Sequence, residues 1–151
     1  MGTRPSFMRM ALGEAEKAFQ RGEVPVGAVL VNGTTGEVAA ASGNRVEELG
    51  DPTAHAEMLV IRDACAKAGV ARLPGFDLYV TLEPCAMCTA AVSFARIRRL
   101  YFGAYDPKGG AVDNGARFFD LSTCHHTPEV FGGIEETAAR DLLQAFFQEK
   151  R

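Results

Sequence analysis

Apolar residues recur along the chain with periods that change from segment to segment. Met8, Leu12, Ala15 and Phe19 follow helical spacing, with Ser6 available as N-cap and Gly22 where the helix would stop. Val24 to Val31 is apolar and β-branched, the pattern of a buried strand, and Asn32-Gly33-Thr34-Thr35-Gly36 supplies a turn into a second strand over Glu37 to Ala41. Ser42 to Pro52 reads as a polar loop. A helix is predicted from about Thr53 to Ala68, with Met58, Ile61 and Cys65 on one apolar row and Gly69 at its end. The Pro74-Gly75 turn leads into a strand over Asp77 to Leu82, and a short helix starts at Pro84 or Cys85 and ends near Ala95. Ile97 to Ala104 is another strand, Asp106 to Asn114 a glycine-rich loop, and Val130–Phe131 a short fifth strand. Ile134, Ala138, Leu142 and Phe146 share one face of a last helix over Ile134 to Glu149.

Strands alternating with helices imply a mixed sheet between helical layers, and strands this apolar need cover on both faces. The expected fold is therefore α/β, a three-layer α/β/α sandwich around a mixed sheet of about five strands. With 151 residues and no linker or repeat, residues 1–151 read as a single domain. No apolar run approaches the roughly 18 residues of a membrane span. The opening MGTRPSFMRM lacks the apolar core of a secretion signal, so a cytoplasmic chain with reduced cysteines is expected.

Composition adds little beyond a globular class, but charge adds one constraint. The net charge of −3 argues against binding nucleic acid by bulk electrostatics. Residues 96–117 run against that balance, with Arg96, Arg98, Arg99, Lys108 and Arg117 facing only Asp106 and Asp113. This is either an ordinary solvated surface or a local patch for phosphates.

Two short segments carry candidate chemistry: Ala54-His55-Ala56-Glu57 and Glu83-Pro84-Cys85-Ala86-Met87-Cys88. Each falls where a helix begins. Cys85 and Cys88 lie one helical turn apart at a helix N-terminus, which favours the thiolate form that binds metal. Pro84 suits a first turn that has no use for its missing N–H. One imidazole and two thiolates would leave a tetrahedral zinc with its fourth position open, the arrangement of catalytic sites. Taken alone, the cysteine pair equally suits a redox dithiol or half of a structural four-cysteine site. A structural site would have to recruit from Cys65, Cys124, His125 and His126. Cys65 reads as an inert buried thiol, and the adjacent Cys124, His125 and His126 as loop residues. Glu57 is the expected proton shuttle, taking a proton from the water and delivering it to a ring nitrogen and then to a leaving amine. Residues two apart on a regular helix point to opposite sides, so His55 and Glu57 can act together only if His55 sits at the helix start.

His55-x-Glu57, 26 intervening residues and Pro84-Cys85-x-x-Cys88 resemble the signature of the cytidine-deaminase-like superfamily. The chain is closer still to bacterial tRNA-specific adenosine deaminases, through VPVGAVLV (24–31), GNR (43–45), DPTAHAE (51–57), LYVTLEPCAMC (78–88) and FGAYDPKGGA (102–111). That resemblance implies deamination of adenosine to inosine at the wobble position of a tRNA anticodon stem-loop, one Zn2+ per subunit, and a homodimer. It also implies that Asn44 hydrogen-bonds the flipped adenine and that Val26 and Leu82 line its pocket. Asp106 and Lys108 would touch neighbouring nucleotides, and Phe146 and Phe147 would shape the groove. Many family members extend into a basic tail; with Glu149-Lys150-Arg151 at its end, this chain is expected to bind through the dimer surface instead. A loop adenosine is already unpaired, so extruding it costs at most a few kcal/mol. Two rival readings share many of these residues: a deaminase of free guanine or a cytidine compound, and a zinc-stabilised binding module in which Glu57 is incidental. Free-cytidine enzymes usually offer Cys as first ligand, so His55 counts against them.

Overall fold

The computed structural model describes residues 3–150, and side chains from Phe7 onward. Helix α1, Thr3–Gln20, leads into strands β1, Gly27–Asn32, and β2, Val38–Gly43. Ser6 stands inside α1, which begins at Thr3, so it is not the cap that the sequence suggested; its side chain lies outside the described residues. β1 starts later than its apolar run, because Pro25 has no N–H to give to a ladder and Val26 N–H closes a turn on Val24 O. β2 extends into the expected polar loop, since Gly43 pairs with Gly27. The remainder of that loop holds a helical turn, α2, Val46–Leu49, without an apolar signal in the sequence.

Next come α3, Ala56–Ala68, β3, Phe76–Leu82, α4, Ala86–Phe94, and β4, Arg99–Ala104. A 3₁₀ turn at Phe118–Asp120 precedes β5, Glu129–Phe131, and α5, Glu136–Glu149. The sheet order is β2-β1-β3-β4-β5. β1 runs antiparallel to both β2 and β3, whereas β3, β4 and β5 are parallel. This is the mixed five-stranded sheet expected from the sequence.

The two faces follow the period of the strands. Ala28, Leu30, Leu78, Val80, Leu100 and Phe102 point to the core under α3 and α4. Val29, Val31, Tyr79 and Tyr101 point the other way, toward Met8 and Ala11 of α1. At Gly27 an added Cβ would collide with the Ala11 carbonyl of α1, so the residue between those layers has to be glycine. Two expected helix faces turn out rotated. On α3 the buried set is Ala56, Glu57, Val60, Ile61 and Ala64, with Met58 and Cys65 only partly buried at its flank. On α5 the buried residues are Ala139 and Phe146, while Ala138 is exposed and Ile134 precedes the helix. Ala139 abuts β4 at Gly103, where an added Cβ would sit 3.0 Å from the Ala139 Cβ, so docking on the sheet sets the rotation.

Candidate active site

Both signature segments are helix starts, and both place their first metal-type side chain at the N-cap. His55 precedes α3 with extended backbone (φ −73°, ψ 151°), and Cys85 precedes α4 in the same way (φ −73°, ψ 176°). Because His55 is not helical, its ring and the Glu57 carboxylate reach one cleft despite their two-residue spacing. Pro84 lies one residue outside the α4 cap rather than in its first turn. Cys88 falls one turn into α4 and is fully buried.

One ligand atom each from His55, Cys85 and Cys88 lies within 4.8 Å of the other two. His55 Nδ1 is 3.6 Å from Cys85 Sγ and 3.5 Å from Cys88 Sγ. Zinc bonds of about 2.0 Å to nitrogen and about 2.3 Å to sulfur, at a tetrahedral angle, would put such atoms about 3.5 Å apart. The two His–Cys distances therefore suit a zinc ion, and three donors are one fewer than a tetrahedral zinc takes. In the protein alone, a hydrogen bond from the Cys88 thiol, and then one from His55, hold the Cys85 thiol down to about 4. Cys88, donating to Cys85 and buried, is pushed up, and the bond to Cys85 raises His55. Burial pushes the Glu57 carboxyl up to about 7, where it can both take and give a proton near neutral pH.

The cleft above this cluster has a volume of about 740 Å³. Val26, Asn44, Leu82, Asp106 and Phe146, all named from the sequence, line it together with His55, Glu57 and Cys85. Lys108 and Phe147 do not; they line an adjoining groove that shares Leu82, Asp106 and Lys150 with the cleft's wall. Asn44 is anchored at both ends. Its N–H donates to Val26 O, and its Oδ1 accepts the Ala56 N–H at 2.8 Å, which leaves its amide N–H groups as the donors available to a ligand.

Sequence reasoning missed two buried carboxylates in the walls. Glu23 accepts the Glu47 and Glu48 N–H groups at 3.1 and 2.8 Å, capping α2 from outside its own segment. Glu83 accepts from the loop after β4; burial pushes its carboxyl up, but the Asp106 N–H and the Asn114 and Asp113 donors outweigh that and hold it below its usual value. The one available signal was an acidic residue wedged between an apolar strand and Pro84.

The basic stretch is dispersed by folding. Arg98 forms a two-pronged pair with Asp77, Arg99 pairs with Glu129, and Arg117 pairs with Asp120. Of the five cations in the 96–117 stretch, only Lys108 borders the groove, where Lys150 joins it. Cys124, His125 and His126 join no metal-type cluster among the described residues. Ser93 Oγ donates to the His126 carbonyl at 2.7 Å and lies 3.5 Å from Cys124 Sγ, which docks this loop on α4 away from the cleft.

A mixed sheet with two helix N-caps converging on a His-Cys-Cys cluster, and a buried carboxylate beside it, defines a zinc-type deaminase fold and site. The profile of the cytidine and deoxycytidylate deaminase zinc-binding region matches residues 1–104. Across its whole length the chain is 61% identical over 151 residues to the tRNA-specific adenosine deaminase of Agrobacterium fabrum, covering 98% of that protein. It is 46% identical over 145 residues to the tRNA-specific adenosine deaminase of Bacillus subtilis, covering 96% of this chain and 89% of that one. A solved structure from work on A-to-I editing by tRNA:A34 deaminases at the wobble position superposes with a TM-score of 0.89 at 62% identity, covering 91% of this chain and 99% of that one. The chain belongs to the tRNA-specific adenosine deaminase family, within the zinc-binding deaminases, and is an enzyme.

Proposed function

We propose that this protein hydrolyses the 6-amino group of adenosine at the wobble position of a tRNA anticodon, yielding inosine and ammonia. The observation that carries the reading is the buried Glu57 carboxylate facing the same cleft as a His55-Cys85-Cys88 donor set of zinc dimensions. The substrate is taken from full-length relatives that are named for it.

His55, Cys85 and Cys88 would hold one Zn2+, and the ion would supply a water acidic enough to act as nucleophile near pH 7. Glu57 would accept one proton of that water and deliver it to the ring nitrogen next to the reacting carbon. It would then take the proton of the new hydroxyl on that carbon and give it to the departing amine, which leaves as ammonia with the carboxylate regenerated. The burial of Glu57 suits the task, because desolvation favours the protonated carboxyl and so helps it to hold the proton between the two transfers. Asn44 directs its amide N–H toward a ring acceptor of the base. Val26 and Leu82 bracket the apolar faces of the purine and keep bulk water off the reacting carbon. Asp106 and Phe146 at the cleft, and Lys108 and Phe147 in the adjoining groove, meet the flanking nucleotides.

The reading extends to a cytoplasmic homodimer, as implied by the family resemblance. Phe94 and Leu121, 68% and 45% exposed, offer apolar surface for a second copy. Among the described residues no helix is long and apolar enough to cross a membrane.

The test is incubation of the zinc-loaded protein with an anticodon stem-loop bearing wobble adenosine. Inosine, found by mass spectrometry of the digested RNA, is the expected product. Ammonia released from free guanine or cytidine, with no inosine in the stem-loop, would overturn the substrate while leaving a deaminase.

A further inference from the structure

Glu83 has no part in the chemistry above, yet it is among the most buried polar residues of the protein, 2% exposed. No ion pair among the described residues involves it. A buried carboxylate without a cation persists only where donors satisfy it. Oε1 of Glu83 accepts the Asp106 N–H at 2.9 Å and the Asn114 side-chain amide at 2.8 Å. Oε2 accepts the N–H groups of Val112, Asp113 and Asn114 at 3.1, 2.8 and 3.0 Å. All five donors lie in the loop that follows β4, and none belongs to a helix or strand.

That loop is laid directly on the carboxylate. An added Cβ at Gly110 would stand 2.5 Å from Glu83 Cδ, and the Ala111 N–H donates to the carbonyl of Pro84. Within the loop, Asp106 Oδ1 accepts from Lys108 and Gly109 and so forms a tight turn at the cleft. One side chain thus joins the segment carrying Cys85 to the loop carrying Asp106, Lys108 and Gly109.

We propose that Glu83 is a positioning residue for RNA binding: it fastens the 106–114 loop so that Asp106 and Lys108 present a fixed edge to the nucleotides beside the target base. The proposal rests on the tRNA reading above for its ligand, though not for the fastening itself. Such a loop, released from Glu83, would retain its contact groups but pay their ordering entropy again at each binding event, so that KM rises more than kcat falls.

The experiment compares wild type, Glu83→Gln and Asn114→Ala. Three quantities are read for each: bound zinc, deuterium uptake along the chain, and kcat and KM with the wobble-adenosine stem-loop. Glu83→Gln keeps the shape but sets an NH2 among N–H donors. It is expected to retain zinc, to exchange faster within 106–114, and to raise KM about tenfold with kcat within about threefold. Asn114→Ala removes one of five bonds, leaves Glu83 intact, and should raise KM by about threefold. Loss of zinc in a folded Glu83→Gln would assign the residue to the metal site instead and overturn the proposal. A fall in kcat at unchanged KM, or unchanged uptake across 106–114, also overturns it. Should Glu83→Gln fail to fold, Asn114→Ala decides alone: faster exchange with an unchanged KM is fatal. A wild type that makes no inosine defeats the RNA reading, while uptake and zinc content still report on the fastening.

Discussion

Asn44 Oδ1 accepts the N–H of Ala56, the residue between His55 and Glu57, at 2.8 Å. The same side chain that faces the cleft thus also satisfies one of the open donors at the start of α3. Function and local stability are joined in one amide, and the two can be separated by substitution.

Asn44→Asp retains an acceptor for Ala56 but replaces the amide donor with an anion. Its melting temperature should stay within a few degrees of wild type while kcat/KM falls at least about a hundredfold. Asn44→Ala loses both roles, and urea denaturation should show about 1 kcal/mol less stability as well. Equal stability losses in both variants would contradict this division.

Glu57→Ala should still bind one zinc per chain, because the carboxylate is not among the three clustered donors. Inosine formation should drop by about 10²–10⁴-fold, the usual contribution of a general acid–base group. A binding module would keep its affinity and show no turnover in either form, so metal analysis beside single-turnover kinetics distinguishes the two.

Removing zinc with a chelator should abolish activity and lower the melting temperature, and readdition of zinc should restore both. The stability lost grows with occupancy, reaching about 4 kcal/mol for a metal present at a thousand times its dissociation constant. Cys88→Ser, which places a hydroxyl in a fully buried position, should reproduce the chelated state in calorimetry even with zinc supplied.

RNA affinity should depend only weakly on salt. Arg99 and Arg117 are paired with acids, so Arg99→Ala is expected to leave the stem-loop dissociation constant within about twofold. Lys108→Ala, at the groove, should weaken binding and reduce the log–log salt slope by about 0.7, one single-strand phosphate contact. A larger slope change at Arg99 would show that its pairing breaks on binding.

The sequence by itself determined the order of the longer helices and the strands, though not the short turns at Val46–Leu49 and Phe118–Asp120. It also determined the alternation of strand faces and the two signature segments, since all of these are written in local period and spacing. Leu78 and Val80 face one way and Tyr79 the other because a strand has period two, and that needs no partner to be read. Cys85 and Cys88 are neighbours for a similarly local reason, one helical turn. Tertiary structure decided what depends on how elements dock. The rotations of α3 and α5, with Ala139 and not Ala138 against the sheet, come from surfaces such as Gly103 on another element. The agreement of His55 with Glu57 required the helix to begin after His55, a boundary that periodicity cannot fix to one residue. Charge was misleading for the same reason: Arg98 is near Arg99 in the chain, but folding gives each its own acid from a different strand, Asp77 and Glu129. Glu83 was invisible because its five donors are more than twenty residues away, and only the folded chain brings them to one carboxylate.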